Sequence, residues 1–378
     1  MSDRKLVILA VVAVIMVAWA VVQSRISTGR RAQVSGPAYL IQGLDPAAID
    51  SIIVGAGKES VTLKREGANF VVVSRDNYPA EAKQINDLIT KCLDIKTSEL
   101  YTDDPKNHED LEVTEQKART VIKFLKPDAS LLAGVIIGKT GESGQSGYVR
   151  LASSDKVYLA SNVPSFRTRA LDYIEQELTA VKREDIQSVQ VTSPAGKYVL
   201  KADPNADSAT LDNLPAGKKL KAGDAKSVLT ALTSLTVNDV RKQSDETAKW
   251  SFDRQYICAL KDSTVYTLKV AKKDDKWYAS CQAEFTDKTP VTINRNEVEP
   301  EEQLKKKEAK LLSQEKAQKF VLKHAGWVYE IADWKAKYLT KELADLLEEE
   351  KKEPEKKEQT EPQTNQTTTE PNAAGAGQ

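Results

Sequence analysis

One stretch of the sequence returns later in the chain at a fixed distance. Residues 44–54, LDPAAIDSIIV, are echoed by residues 181–191, VKREDIQSVQV, at an offset of 137, and the dipeptide Leu-Lys at 63–64 returns at 200–201. A repeat of this length indicates one supersecondary unit that is used twice. We therefore expect two similar modules. The alternative is two units that resemble each other only in composition.

The patterns inside each copy predict the fold class. Strand-like apolar segments at 51–54 and 70–73, and alternating apolar and polar residues at 61–64, are separated by glycine-containing turns and indicate a β-meander. The helix that follows shows apolar spacing of i, i+3, i+4 and i+7, at Ile85, Leu88, Ile89 and Cys92 and again at Ala225, Val228, Leu229 and Leu232. We predict an α+β protein with two repeated antiparallel-sheet-plus-helix modules, over residues 44–178 and 179–350.

The second copy is longer than the first. Its last strand, at 327–332, matches residues 156–161 at an offset of 171, which exceeds the offset of 137 by 34 residues. The Lys/Glu-rich stretch of about 296–323 is the candidate insertion, and its composition predicts a charged helix or arm. We also expect helices over about 165–177 and 334–350. Residues 351–378 contain Lys/Glu blocks and then Gln, Thr, Asn and Pro, which predicts a disordered tail.

The N-terminus carries an apolar run of 17 residues, Leu6–Val22, flanked by basic residues on both sides. At 1.5 Å per residue it is about 25 Å long, near the lower limit for crossing a bilayer. We predict a single-pass anchor over residues 1–30 and a linker over 31–43. The small-x-small triplet at 18–20 leaves a cleaved signal peptide as the alternative.

The location of the body follows from this layout. The flanking positive charges are nearly balanced and do not decide the orientation. A very short N-terminal segment before a long polar domain is typical of a signal anchor whose domain is exported. We therefore expect a bacterial inner-membrane protein with an extracytoplasmic body. Lys+Arg and Asp+Glu are both 55, so no global field attracts nucleic acid, and we expect no nucleic-acid partner.

No residue pattern carries a catalytic or metal-binding signature. The segment 134–140, GVIIGKT, imitates a P-loop, but three residues separate its glycines instead of four, and a Gly/Ser loop follows instead of a helix. The three cysteines and two histidines lack metal-ligand spacing. We predict a non-enzymatic protein without metal or cofactor, and a hydrolase assembled from distant segments is the least favoured alternative.

Two questions stay open at the level of the sequence. Cys258 and Cys281 lie in two predicted strands of one meander, where a disulfide forms only if no third strand separates them. The aromatic residues Trp250, Trp277 and Tyr278, together with Tyr256 and Tyr266, could line a groove for polysaccharide, peptidoglycan or peptide. Aromatic residues are also ordinary core residues of strands, so burial in the core is the alternative.

Several motifs resemble a bacterial family known as domain of unknown function 4340. They are Gly138 with the Gly/Ser loop that leads into Tyr-Val-Arg at 148–150, then Val-Tyr-Leu at 157–159, then FRTRAL at 166–171 leading into 186–191. The resemblance covers roughly residues 40–285. It implies an accessory or scaffold component of an ABC-type transport or surface-assembly complex, with a protein partner in the envelope and no catalytic residues to transfer.

The orientation can be tested by protease accessibility of the C-terminal tail. In cells with a permeabilised outer envelope and an intact inner membrane, we expect added protease to cleave after residue 350, because the body is exported. Immunoblotting with and without lysis measures this cleavage. Protection until lysis would instead place the body in the cytoplasm.

Overall fold

The protein is a mixed α+β structure with two large antiparallel sheets and few helices, which confirms the predicted fold class. The computed structural model describes residues 38–141, 144, 146–203, 208–292 and 299–350. The predicted anchor, most of the linker and the predicted disordered tail lie outside these residues. Within the described part, no helix is both long and apolar enough to cross a membrane.

The first sheet contains ten strands in the described residues. In chain order they are β1 Ala38–Tyr39, β2 Ser51–Val54, β3 Val61–Glu66, β4 Asn69–Val72, β5 Tyr78–Pro79, β6 Lys96–Thr102, β7 Thr120–Leu125, β8 Leu131–Thr140, β9 Ser146–Leu151 and β10 Val157–Ser161. Their order across the sheet is β1-β6-β10-β9-β8-β7-β2-β3-β4-β5. All neighbouring pairs are antiparallel.

The second sheet has nine strands in the described residues, and a separate two-stranded ribbon lies outside it. The strands of the second sheet are β11 Glu177–Thr179, β12 Ile186–Ser193, β13 Gly196–Ala202, β14 Ala209–Leu211, β16 Leu235–Lys242, β17 Arg254–Leu260, β18 Thr264–Lys273, β19 Lys276–Phe285 and β20 Trp327–Ile331. The ribbon pairs β15 Lys218–Leu220 with β21 Leu347–Glu349.

The two sheets share one strand order. Across the second sheet the order is β11-β16-β20-β19-β18-β17-β12-β13-β14, so β11 stands where β1 stands in the first sheet, β16 where β6 stands, and so on to β14 in the place of β4. In both sheets three strands intervene along the chain between two neighbours in the sheet: β7 to β9 between β6 and β10, and β17 to β19 between β16 and β20. Every strand of the second sheet can therefore be compared with a strand in the same position of the first, and only β5 has no counterpart in the second sheet of the described residues.

The inner faces of both sheets contribute to one hydrophobic core. Helix α1, Ala82–Leu93, and helix α2, Ala222–Leu229, bury the apolar stripes that the sequence indicates. Tyr256 of β17 is fully buried in this core, and its hydroxyl donates to the carbonyl oxygen of Val228 at 2.7 Å. The shorter helices are α3 Asp245–Ala248, α5 Asp333–Leu339 and α6 Leu343–Leu346.

The charged stretch predicted over 296–323 contains helix α4, Glu301–His324. It lies along β19, which pairs with β20 only at residues 277–279 and is otherwise bare on that side. Ala317 and His324 are buried on the docked face of α4, and the Phe320 ring contacts Tyr266 edge to face at 5.0 Å. The helix therefore covers a strand edge that would otherwise expose backbone hydrogen-bonding groups.

Two predicted helices are wrong in extent. Over 165–177 the described chain has only a short 3-10 turn at Ala170–Tyr173, followed by β11. The stretch 334–350 is divided into α5, α6 and β21, because the chain leaves the helix at Thr340 and Leu347 pairs with β15. At the second place, pairing with a neighbouring strand outweighs local helix propensity.

The three cysteines are free and buried, so Cys258 and Cys281 form no disulfide. Strand β18 lies between their strands: Cys258 is opposite Tyr266, and Cys281 is opposite Leu268. Two strand spacings separate them by about 9 to 10 Å, more than a disulfide can span. Burial raises the pKa of the Cys258 thiol to about 12, so it is a protonated core residue.

The segment that imitates a P-loop lies in strand β8, and its glycine has a packing role. The backbone of Gly138 lies under the loop 103–119, where an added Cβ would meet the Cγ1 of Val113 at 2.7 Å and come closer still to the carbonyl oxygen of Leu111. This loop places Leu111, Val113 and Ala118 on the outer face of the first sheet, where they form a small second core.

Replacing Gly138 by alanine should therefore destabilise the protein. We expect Gly138→Ala to lower the free energy of unfolding by about 1–3 kcal/mol, because the loop must move to admit the methyl group. Thermal or urea unfolding measures the change. Gly223→Ala is the matched control, since a Cβ there meets nothing within 4 Å, and we expect no loss of stability. Equal effects of the two substitutions would contradict the packing role.

Candidate functional site

A large cleft lies on the outer face of the second sheet. It has a volume of about 630 Å³ and opens between the strands, the segment 243–253 and the C-terminal end of α4. The segment 243–253 contains α3, whose first turn is held by reciprocal hydrogen bonds between Ser244 and Thr247. This capping box fixes one wall of the cleft.

The floor of the cleft is a row of polar side chains. Thr192, Gln255, Lys269 and Ser280 are directly opposite one another across β12, β17, β18 and β19. Residues paired in this way point to the same face of a sheet. Sequence alternation alone places each of them on the outer face of its strand, but the strand order is needed to place all four side by side.

The first sheet has a different surface in the same place. The positions that correspond to Gln255, Lys269 and Ser280 in strand order and pairing are Val121, Ile136 and Arg150. Val121 and Ile136 are buried under the loop 103–119. Arg150 donates from Nε to the carbonyl oxygen of Val113 at 2.7 Å, which fastens that loop to the sheet. The outer face of the first sheet is therefore closed, while that of the second is open.

The polar groups of the cleft floor have no partners in the described part of the chain. The side chains of Thr192, Gln255, Lys269 and Ser280 make no hydrogen bond or ion pair there, and Gln282 beside them makes none either. Asp253 at the rim is paired with Arg254 at 2.8 Å. The cleft thus offers amide and hydroxyl groups and one unpaired ammonium group to a ligand.

His324 closes the end of the cleft where α4 meets β20. It is buried, and its Nδ1 lies 2.6 Å from the hydroxyl of Tyr329. Burial, with a smaller contribution from the Lys323 ammonium, lowers its pKa to about 4, so His324 is neutral at pH 7. A neutral imidazole held by a tyrosine is a structural element of the wall. The other histidine, His108, is bonded through Nε2 to the carbonyl oxygen of Asp155.

The aromatic residues singled out from the sequence are not gathered in one place. Trp250 stacks on Tyr278 with ring centroids 4.5 Å apart, and this covers the Tyr278 ring, which is buried on the outer face. Trp277 points to the opposite face, where Nε1 donates to Asp333 at 3.0 Å. Tyr256 and Tyr266 are buried in the core. The structure therefore brings two of the three candidates together and separates the third.

Sequence reasoning selected none of the residues that form the cleft floor. Threonine, glutamine and serine in strands carry no motif, and a single lysine is an ordinary surface residue. A comparison of the repeats in the correct register shows the difference, because apolar residues at 121 and 136 stand where the second copy has polar residues at 255 and 269. Within the described residues, no group of three potential metal ligands is present.

One family match relates the chain to known proteins. Residues 71–255 match a family described as a domain of unknown function (DUF4340). This match confirms the family resemblance over residues 71–255. The family match extends from β4 of the first sheet to the beginning of β17 in the second, so it includes both outer faces in part. No curated protein and no solved structure matches the chain.

The neutral state of His324 predicts a pH dependence of stability. Its pKa is below the ordinary value of 6.5, so its contribution is complete above pH 6.5 and is lost as the pH falls towards 4. We expect the stability difference between the wild type and His324→Gln to shrink on acidification, by at most about 1.4 kcal/mol per pH unit. Urea unfolding at pH 7.0, 5.5 and 4.5 measures it. A difference that does not change with pH would contradict the assignment.

Proposed function

We propose that this protein is a non-enzymatic, membrane-anchored accessory or scaffold component of an envelope assembly, and that the cleft of the second sheet holds a polar segment of its partner protein. The assembly expected from the family resemblance is an ABC-type transport or surface-assembly complex. We further propose that Leu6–Val22 anchors the chain in the inner membrane, with the body outside the cytoplasm and a disordered tail after residue 350.

The observation that carries this proposal is the contrast between the two outer faces. We propose that the sheets are copies of one module, and their common strand order supports a duplication. One copy keeps its outer face closed with an apolar loop, and the other exposes an unpaired polar row. A row of polar side chains without partners adds no stability to the fold, which favours a binding role.

The chemistry of the cleft favours an extended polypeptide. Amide and hydroxyl groups at Thr192, Gln255 and Ser280 can bond to peptide groups, and the ammonium group of Lys269 can pair with a carboxylate. A polysaccharide or peptidoglycan strand is the second candidate. It is favoured by the combination of these groups with the Phe252 ring in the cleft wall, since sugars bind through hydroxyl contacts and aromatic faces.

Charge and size changes on the cleft floor should release the partner. We expect Lys269→Glu and Ser280→Arg to reduce the partner retained with the tagged full-length protein about tenfold, which corresponds to about 1.4 kcal/mol. Affinity purification from detergent-solubilised membranes with quantitative mass spectrometry measures the retained partner.

The control is Lys261→Glu, the same charge reversal at an exposed lysine in the turn after β17, outside the cleft. We expect this variant to retain the partner. Equal retention by all variants, or no stable partner at all, would contradict the protein-binding role. Calorimetric titration with soluble peptidoglycan fragments tests the second candidate, and heat released by the wild type but not by Ser280→Arg would favour it.

A further inference from the structure

The end of the first sheet covers an edge of the second. Residues 73–79, the turn and strand that end the first sheet, lie against β16. Arg75 Nε lies 2.6 Å from Asp239 Oδ1, and the backbone N–H of Lys242 donates to Asp76 Oδ2 at 3.0 Å. We call this surface of β16 the covered edge.

The first sheet has an equivalent edge, β6. In β6, Glu99 is opposite Leu159 of β10, and in β16, Asp239 is opposite Glu330 of β20. In each strand one residue, 98 or 238, is left out of the pairing just before this pair. The two pairs also lie at the same place in the common strand order. Glu99 therefore stands where Asp239 stands, and the following residue, Leu100, stands where Val240 stands.

The edge of β6 is uncovered in the described residues. Strand β1 pairs with it only at residues 96 and 97. Val240 is 1% exposed at the covered edge, whereas Leu100 is 50% exposed at the equivalent position, and Tyr101 beside it is 52% exposed. Glu99 is also exposed and makes no ion pair in the described part of the chain, whereas Asp239 has Arg75. The Tyr101 ring packs edge to face on Tyr148 and leaves its other side exposed. The acidic Glu99 beside the exposed Leu100 on an open strand edge is thus the counterpart of the edge of β16 that residues 73–79 cover.

We propose that the edge of β6 is a docking surface for a different protein, which presents a basic turn beside an aromatic or apolar side chain. This occupant has the chemistry of residues 73–79, where Arg75 pairs with Asp239 and the Tyr78 ring packs on Trp327 of the neighbouring strand β20. The surface is separate from the cleft of the second sheet, so it adds a second contact to the proposed accessory role.

A second copy of this chain does not supply the required turn. Arg75 lies seven residues before Ala82, the first residue of α1. The residue seven before Ala222, the first residue of α2, is Pro215. The strand next to it, β15, is already paired with β21. The equivalent end of the second half therefore lacks the arginine and is covered by the chain's own C-terminal strand.

Site-specific photo-crosslinking in the native membrane tests this docking surface. A benzoylphenylalanine is placed at Leu100 or Tyr101 of the full-length protein, and the control is placed at Leu214, which is also exposed but lies elsewhere. We expect a heteromeric cross-link from positions 100 and 101 and none from 214. Mass spectrometry should map it to a partner segment that contains an arginine or lysine.

The charge partner provides the decisive variant. Glu99→Arg should reduce the cross-link yield at least about tenfold, and Glu99→Asp should keep it, because only the first reverses the charge that Asp239 carries in the covered edge. A cross-link to the chain's own segment before residue 38, a cross-link to a second copy, an unchanged yield with Glu99→Arg, or no cross-link would each overturn the proposal. The cleft variant Ser280→Arg should leave the yield unchanged, so failure of the cleft proposal is distinguishable.

Discussion

A buried chain of three polar groups joins the parts of this structure. The Nδ1 of His324 in α4 lies 2.6 Å from the hydroxyl of Tyr329 in β20, which lies 3.4 Å from the hydroxyl of Tyr78 in β5. These groups can satisfy one another, because a neutral imidazole carries one donor and one acceptor nitrogen and each hydroxyl can both donate and accept. Burial raises the pKa values of both tyrosines, so the hydroxyls stay protonated. Buried polar groups that satisfy one another specify a single arrangement of the elements that carry them. The inserted helix, the second sheet and the end of the first sheet are thereby placed relative to one another.

This arrangement determines which surfaces remain available. Because Tyr78 also packs on Trp327 at 4.8 Å, the end of the first sheet lies against β16 and covers its edge. The inner faces are occupied by the shared core, and α4 occupies the bare side of β19. Among the described residues, the outer face of the second sheet and the edge of β6 stay uncovered. Both proposals concern these two surfaces.

The sequence predicts more of the fold than of the site. The α+β class follows from periodicity, because strand alternation and helical spacing are local properties. The family resemblance is carried by short motifs and their order along the chain. The apolar stripe at 85–92 becomes the buried face of α1 as predicted. The helix expected over 334–350 is wrong, since Leu347 finds a strand partner in β15 more than a hundred residues away. Among the candidate site residues, Trp250 and Tyr278 come together, but Trp277 points to the other face, because it is one position out of phase with Tyr278 along β19.

The sequence by itself determined which residues alternate, where helices can form and that the chain carries no recognisable catalytic motif. It also contained the difference between the apolar Val121 and the polar Gln255, although nothing local marked these two positions as equivalent. Only the tertiary structure decided that Thr192, Gln255, Lys269 and Ser280 form one row and that Leu100 is bare where Val240 is covered. The physical reason is that strand order, register and contacts between sheets join residues that are distant in the chain, and their side-chain types constrain these pairings only weakly.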